Sequence, residues 1–177
     1  MIVQDKINNV KEALGFANPM EATRLEKIVV SVGTGKRSRV DRHWNDLVQD
    51  RLAKITGQKS SVRAARQSIA GFKIRAGDPV GQMVTLRGKR MMGFLEKLIH
   101  VALPRTKDFR GIKKTAVDGM GNLTIGIKEH TIFPEATDEE ISNVFGLSIT
   151  LVSTASNKVE AMKFFEHIGI PFVKDEA

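Results

Sequence analysis

The sequence predicts an α+β fold: a single, mostly antiparallel sheet of four to five strands, with helices packed on one face and an N-terminal helix. Apolar residues recur at helical spacing in some stretches and alternate with polar residues in others. With 177 residues, 41% of them hydrophobic, the chain is long enough for one domain with a substantial core. Within that single domain, 1–177, we expect an N-terminal helix in 1–15, an α+β body in 16–173 and a frayed tail in 174–177.

The first part of the chain predicts a helix, a strand and a second helix, in that order. Apolar residues in Ile2–Leu14 have helical spacing, and Gly15 is suited to end that helix. The β-branched run Leu25–Val32 is typical of a buried strand. An apolar stripe over Asp41–Ile55 predicts the second helix, with an acidic residue near its positive end.

The middle of the chain predicts short strands followed by a helix. Polar and glycine interruptions throughout 58–88 favour short strands joined by loops, of which Gln82–Arg87 is the clearest. The tripeptide Gly77–Pro79 predicts a turn. The spacing of apolar residues in Lys89–Leu103 predicts a helix that Pro104 ends.

The last part of the chain predicts two strands and a closing helix. Leu123–Ile127 and Leu147–Leu151 alternate apolar and polar residues, as half-buried strands do. Asn157–Ile168 has helical spacing, and Gly169 is placed to end that helix.

Charge is unevenly distributed along the chain. The net charge of +8 divides into zero for 1–35, +14 for 36–114 (20 basic and 6 acidic residues) and −6 for 115–177. Within Arg51–Gly77 there are seven basic residues and no acidic one. Such segregation favours a polyanionic partner, nucleic acid above all, over a merely solvated surface.

Several kinds of catalytic chemistry have no support in the sequence. The absence of cysteine excludes a disulfide framework, a thiolate zinc site and a cysteine nucleophile. The segment Gly33–Lys36 suggests a phosphate loop, but Val30 and Arg37 stand where that motif requires glycine and serine or threonine. We therefore expect no enzyme, no cofactor and no small-molecule substrate.

Metal and membrane sites are equally unsupported. The histidines have no metal-ligand spacing and are expected on helix surfaces or at strand ends: His43, His100, His130 and His167. An acidic cluster is expected to open a short helix: Glu135, Asp138, Glu139 and Glu140. Without a signal-peptide pattern or a long apolar stretch, we expect a cytoplasmic protein with no membrane partner.

Ten ordered sequence blocks carry a family resemblance that spans nearly the whole chain. They are 28–35 (IVVSVGTG), 55–59 (ITGQK), 68–75 (SIAGFKIR), 84–88 (VTLRG), 103–105 (LPR), 108–112 (DFRGI), 118–122 (DGMGN), 126–129 (GIKE), 133–135 (FPE) and 169–172 (GIPF). With them the chain resembles the bacterial large-subunit ribosomal protein five family, the 5S rRNA-binding proteins of the central protuberance. The resemblance implies an antiparallel sheet with helices on one side and a non-catalytic, RNA-binding role in translation.

The resemblance places RNA-facing residues at Ser31, Gln58, Phe72 and Thr85. Ser31 departs from the asparagine that the family usually has, so its contact is expected to be altered. The residue types suit the task, because Gln58 can read a base edge or a ribose, Thr85 can bond a 2′-hydroxyl, and Phe72 can stack. From the sequence alone, Phe72 could equally be a core residue.

Cations near these positions are expected to supply phosphate contacts that set affinity without reading sequence. These cations are Lys59, Arg63, Arg66, Lys73 and Arg75. In the family, the loop that follows reaches peptidyl-site tRNA, which here implies Ala76, Gly77, Asp78, Pro79, Val80 and Gly81. Without the resemblance, an ordinary hairpin loop is the simpler interpretation.

Two further segments resemble the family's bridge to the small subunit, where ribosomal protein thirteen is the partner. They contain Asp108, Phe109, Arg110 and Gly111, and then Phe133, Pro134 and Glu135. The implied partners are therefore 5S rRNA, large-subunit rRNA with neighbouring ribosomal proteins, peptidyl-site tRNA and that small-subunit protein. Two alternatives stay open at this point: an RNA-binding accessory factor outside the ribosome, and an enzyme acting on an anionic nucleotide.

Overall fold

The computed structural model describes residues 2–16, 18, 20–41, 43–107, 109–136 and 143–173. Its helices are α1 (Ile2–Asn8), α2 (Val10–Leu14), α3 (Trp44–Thr56), α4 (Gly88–Lys97), α5 (Leu103–Arg105) and α6 (Lys158–Ile168). Its strands are β1 (Leu25–Gly33), β2 (Ser61–Ala64), β3 (Pro79–Leu86), β4 (Leu123–Ile127) and β5 (Leu147–Ser153). The predicted α+β class is therefore confirmed.

The five strands form one antiparallel sheet in the order β2-β3-β1-β5-β4. Along β4 and β5 every second residue is buried, and the same alternation runs through most of β3. Because side chains alternate between the two faces of a strand, one face of each of these strands is covered and the other is open. The open face carries the polar side chains considered below.

The described residues divide into two compact units. Unit 1 contains the residues up to Ile28, Leu86–Ile125 and those from Ile149 onward; unit 2 contains Val29–Thr85 and Gly126–Ser148. In unit 1, α1 and α2 pack on α6, and the core includes Leu95, Phe164 and Phe165. In unit 2, the apolar stripe of α3 supplies much of the core.

An aromatic stack fixes part of the unit 2 core. The ring of Trp44 meets that of Phe145 edge-on, with centroids 6.2 Å apart, and Phe145 lies parallel to His130 at 3.9 Å. The Phe145 backbone amide donates to His130 Nδ1 at 3.3 Å. His130 is thus fully buried, and the expectation of a surface or strand-end position for it is wrong, because stacking and this hydrogen bond satisfy it inside.

Three predicted boundaries need correction. The N-terminal helix is two short helices interrupted at Asn9. Pro104 does not end the helix that begins at Gly88, because helical backbone continues through a π-turn and into α5. The run stops at Arg105, one residue after the proline, so Pro104 lies in its last turn and does not interrupt it earlier.

The remaining correction concerns the loop expected at 76–81. Pro79, Val80 and Gly81 belong to β3, so the loop proper is reduced to Ala76, Gly77 and Asp78. β3 starts three residues before the predicted Gln82 because β2 pairs with it as far as Pro79. The predicted tail 174–177, Asp108 and the acidic residues Asp138, Glu139 and Glu140 lie outside the described residues.

Among the residues that the structure describes, none of the helices combines the length and hydropathy that a membrane span requires. The same residues contain no group of three or more histidine or acidic side chains arranged to hold a metal ion.

Candidate nucleic-acid interface

The end of α3 brings Gln58 against Thr85 on the open side of β3. Gly57 ends the helix in the left-handed conformation (φ 69°), with its amide bonded to Ala53 O at 2.8 Å. This turn directs the chain back to the sheet, where Gln58 Nε2 donates to the Thr85 carbonyl at 3.2 Å. The structure therefore brings together two residues that are 27 positions apart in the sequence.

Thr85 and Gln58 differ in whether their side chains make hydrogen bonds within the protein. The Gln58 amide is partly engaged, because it holds the Thr85 backbone. The Thr85 hydroxyl makes no hydrogen bond to any described residue, and the side chain is half-buried on the open face. Of the two, Thr85 thus offers the group that can contact a ligand without losing an internal bond.

Ser31 lies on the open side of β1, also half-buried. Its hydroxyl is 3.3 Å from that of Ser148 on β5, so one hydroxyl donates to the other. A serine pair of this kind retains lone pairs that can accept from a ligand. At the position where the resemblance implies asparagine, the Ser31 hydroxyl therefore makes an internal contact between neighbouring strands.

The register of β2 on β3 decides which side its side chains occupy. Ser61 pairs with Met83 and Arg63 with Gly81, in antiparallel order. Residues paired across two strands point to the same side, and β3 buries Gln82 and Val84 on the other side. Arg63 therefore shares the open face with Thr85, four residues further along β3, or about 13 Å at the usual rise of a strand.

A small hairpin between β2 and β3 displays Phe72. Ile69 and Ile74 exchange two backbone hydrogen bonds, of 2.9 and 3.2 Å, and a 3₁₀ turn over Ala70–Phe72 joins them. Phe72 is 64% exposed, which excludes the core role that the sequence left open. Lys73, with φ of 51°, has the left-handed conformation that closes the turn, and its side chain is exposed.

Hydrogen bonds close the base of the excursion that contains this hairpin. The amides of Ala65 and Gly77 bond to the carbonyls of Asp78 and Ala65 at 2.8 and 3.0 Å, and Asp78 Oδ2 accepts from the Arg75 amide at 2.8 Å. Gly77 has φ of 93°, which only glycine adopts without strain. Residues 65–78 are thus an ordered projection, which we name the 65–78 excursion.

All five predicted phosphate-contacting cations are exposed. They are Lys59, Arg63, Arg66, Lys73 and Arg75. None of them forms an ion pair with an acidic side chain among the described residues, whereas Lys54 pairs with Asp50 at 3.0 Å. Unpaired cations on one segment attract phosphates with little competition from the protein's own acids.

One nearby cation has a structural role instead. The Arg37 guanidinium lies 4.1 Å from the centre of the Trp44 ring and donates to Val144 O at 3.1 Å. It therefore holds the loop after β1 to the segment before Phe145. A count of basic residues along the sequence does not distinguish Arg37, which is held by Trp44 and Val144, from the five exposed cations without ion pairs.

The residues predicted for the small-subunit bridge differ in exposure: some lie on the surface and others are buried. Arg110, Pro134 and Glu135 are exposed, and Phe109 is half-buried. Phe133 is fully buried, so it is corrected to a core residue that supports its segment from inside. Gly111 is structural as well: φ is 107°, and a Cβ there would lie 2.8 Å from the Val173 nitrogen.

Comparison with known families identifies the chain. A model described as "Ribosomal protein L5" matches residues 18–75, and a second model, which describes the C-terminus of the same ribosomal protein family, matches residues 79–172. The chain belongs to the ribosomal protein L5 family. As a member of this family it is a structural protein of the large ribosomal subunit and not an enzyme.

Curated relatives agree over most of their length. Large ribosomal subunit protein uL5 of Rubrobacter xylanophilus is 50% identical over 163 residues, which cover 92% of this chain and 90% of that protein. The protein of the same name from Anaeromyxobacter sp. (strain K) is 49% identical, covering 90% and 88%. That of Helicobacter pylori (strain G27) is 46% identical, covering 97% and 94%. The enzyme alternative is thereby set aside.

Sequence reasoning missed a small cavity in unit 2. It lies among the loop after β1, the first turn of α3 and the start of β3, with a volume of about 260 Å³. Its walls come from residues up to 45 positions apart, such as Gly35 and Val80. No periodicity or motif signals such a cavity, because it exists only once the loop is bonded to the strand.

Proposed function

We propose that this L5-family chain binds 5S rRNA through unit 2 and helps attach it to the large subunit in the cytoplasm. The observation that carries the proposal is the open face that Arg63 shares with Thr85, whose hydroxyl has no hydrogen-bond partner among the described residues. In this assignment Thr85, Gln58 and Ser31 contact ribose or base edges, and Phe72 stacks on an unpaired base. The five exposed cations neutralise phosphates.

Salt dependence tests the electrostatic part. If all five cations each neutralise one phosphate, log affinity for 5S rRNA falls with log salt at a slope between about −3.5 and −4.5. Filter binding from about 50 to 200 mM salt measures this slope. An affinity that stays constant over that range would exclude the proposed mode of binding.

Thr85→Val tests the specific part. Valine keeps the shape and removes only the hydroxyl, so we expect 5S rRNA affinity to fall about 2- to 12-fold, as for one net hydrogen bond. The melting temperature should hardly change, because the Thr85 hydroxyl makes no hydrogen bond to any described residue. Thr124→Val is the control for removing a strand hydroxyl: Thr124 is exposed on β4 in unit 1, its hydroxyl is 3.1 Å from that of Thr150, and removing it should leave 5S rRNA binding unchanged.

Gln58→Ala is a less clean test of the same contact. It removes the bond to the Thr85 carbonyl as well as any RNA contact, so it should lower both RNA affinity and stability, the latter by about 0.5–1.5 kcal/mol. If Thr85→Val and Gln58→Ala weaken binding of an unrelated RNA equally, these residues do not confer specificity.

The 65–78 excursion is proposed to face peptidyl-site tRNA through Ala76, Gly77 and Asp78, which lie at its base next to the start of β3. What supports this is the family resemblance and the exposure of these residues on an ordered projection. A photoreactive residue in place of Ala76 should crosslink to peptidyl-site tRNA in assembled ribosomes. A crosslink to rRNA alone would contradict the assignment.

The bridge to small-subunit ribosomal protein thirteen is proposed for the exposed residues Arg110, Pro134 and Glu135. Photoreactive residues at Arg110 and Pro134 test it in joined ribosomes. Crosslinks to that protein should appear on subunit joining and disappear on dissociation. Products that are independent of joining would place these residues elsewhere on the large subunit.

A further inference from the structure

The cavity in unit 2 is built by a close approach of backbone to backbone. The amides of Thr34 and Gly35 both donate to the Val80 carbonyl, at 2.9 and 3.0 Å, which fixes the loop after β1 to the start of β3. A Cβ on Gly35 would contact Val80 side-chain atoms at 3.4 Å, so glycine lets the two segments meet this closely. Backbone hydrogen bonds between the two segments therefore fix this side of the cavity, which is open to solvent on the other.

The lining of the cavity has an apolar part and a polar part. Ile74, Pro79 and Val80 provide flat apolar surface, while Ser38, Asn45 and Asp78 provide hydrogen-bonding groups. Arg39, which is exposed, adds a cation at the edge. A phosphate is a poor occupant, because a carboxylate and three apolar side chains oppose an anion there.

Asn45 is the group in the lining that the fold leaves unsatisfied. Its Oδ1 is buried, and neither end of its amide makes a hydrogen bond to a described residue. Leaving such an acceptor without a partner destabilises the folded state. A ligand that turns this amide into the cavity and pairs with it recovers that loss.

We infer that this cavity receives one unstacked nucleobase of a bound RNA, with the Asn45 amide reading the base edge. At about 260 Å³ it lies just below the roughly 300–1,000 Å³ that hold drug-sized ligands, so it suits a single heterocycle. The apolar side chains contact the base ring, an amide pairs with a base through one donor and one acceptor, and Arg39 reaches a flanking phosphate. The inference rests on the proposed RNA-binding function.

Two RNAs could supply the base, since both 5S rRNA and peptidyl-site tRNA are proposed partners of unit 2. The test uses the full chain with each RNA separately and compares Asn45→Ala with Gln49→Ala. Gln49 is half-buried one turn further along α3 and does not line the cavity. Its side-chain amide makes no hydrogen bond to any described residue. It is therefore a matched control for loss of an amide from this helix.

Asn45→Ala should weaken binding of one of the two RNAs about 5- to 150-fold, the range for one base-edge pairing. The melting temperature should stay the same or rise, because the variant removes an unsatisfied acceptor and introduces a better helix former. Gln49→Ala should leave both affinities unchanged. Loss of melting temperature with Asn45→Ala, accompanied by an equal loss of affinity for both RNAs, would make Asn45 structural and overturn the inference.

Chemical probing identifies the base. Reagents that modify the Watson–Crick edges of the four bases should find one nucleotide protected by the wild-type chain and reactive with Asn45→Ala. Its position in 5S rRNA or in tRNA assigns the source. If no protection depends on Asn45 while Thr85→Val still weakens 5S rRNA binding, the cavity inference fails and the proposed function stands; if the wild-type chain binds neither RNA, the proposed function fails.

Discussion

Two turns of this molecule are closed by the same chemistry and display different side chains. In the 65–78 excursion of unit 2, Asp78 accepts from the Arg75 amide. In unit 1, Asp118 accepts from the amides of Met120 and Asn122 at 3.0 and 2.7 Å, closing a turn that we name the 118–122 turn. The hydrogen bonds that close a turn therefore do not indicate whether the turn binds a ligand.

The difference lies in what each turn carries and in what packs against it. The excursion presents Phe72 and cations to solvent, whereas the 118–122 turn presents Met120, which is 76% exposed, with no basic residue within the turn. Gly121 is buried in unit 1 against Ala155, whereas a Cβ added at Gly77 would meet no atom within 4 Å. The excursion is open to solvent, whereas the 118–122 turn is anchored to the core of its own unit.

The largest expected contrast between the two turns is in stability, when Gly121 and Gly77 are each replaced by alanine. Gly121→Ala combines a left-handed φ of 79° with a Cβ only 2.9 Å from that of Ala155, so we expect a loss of about 2–5 kcal/mol in the free energy of unfolding. Gly77→Ala has the conformational cost alone, about 1–2 kcal/mol. Denaturant unfolding of both variants measures the contrast; equal losses would mean that packing on Ala155 contributes nothing.

The next effect concerns binding. Phe72→Ala should reduce RNA affinity about 5- to 150-fold, the range for one stacked base, with little change in melting temperature because the ring is exposed. Met120→Ala removes an equally exposed apolar side chain from the other turn and should change neither quantity. An undiminished RNA affinity for Phe72→Ala would remove stacking from the proposed interface.

Much of this architecture follows from local sequence. The period of two in Leu123–Ile127 and the period of 3.6 in Asn157–Ile168 predicted strand and helix correctly, because burial of one face imposes those periods. Pro104 predicted the end of its helix to within two residues, because the helical run that includes it stops at Arg105.

The site was less accessible to such reasoning. The residue types at Gln58 and Thr85 suggested RNA contacts, but the bond between them depends on the turn at Gly57 that returns the chain to β3. Phe72 is exposed because Ile69 and Ile74 pair and close the turn that carries it. The order of apolar and polar residues in 69–74 does not predict this pairing. In both cases a hydrogen bond formed only in the folded chain decides the outcome, and composition carries no information about it.

The smallest expected effect is the pH dependence of the 118–122 turn. The backbone amide of Asn122, then its side-chain amide, lowers the pKa of Asp118 below 3.8, and the Met120 amide adds to this. A depressed folded-state pKa means that the carboxylate stabilises the fold above the unfolded value, and that this contribution is lost as pH falls through the folded value. Asp118→Asn should therefore lower the free energy of unfolding modestly at pH 7, with the difference from wild type shrinking as the pH approaches and passes below 3.8. Unfolding measured from pH 7 down to the acid limit of the folded state tests this, and a difference independent of pH would show that the turn needs only the shape of the side chain, not its charge.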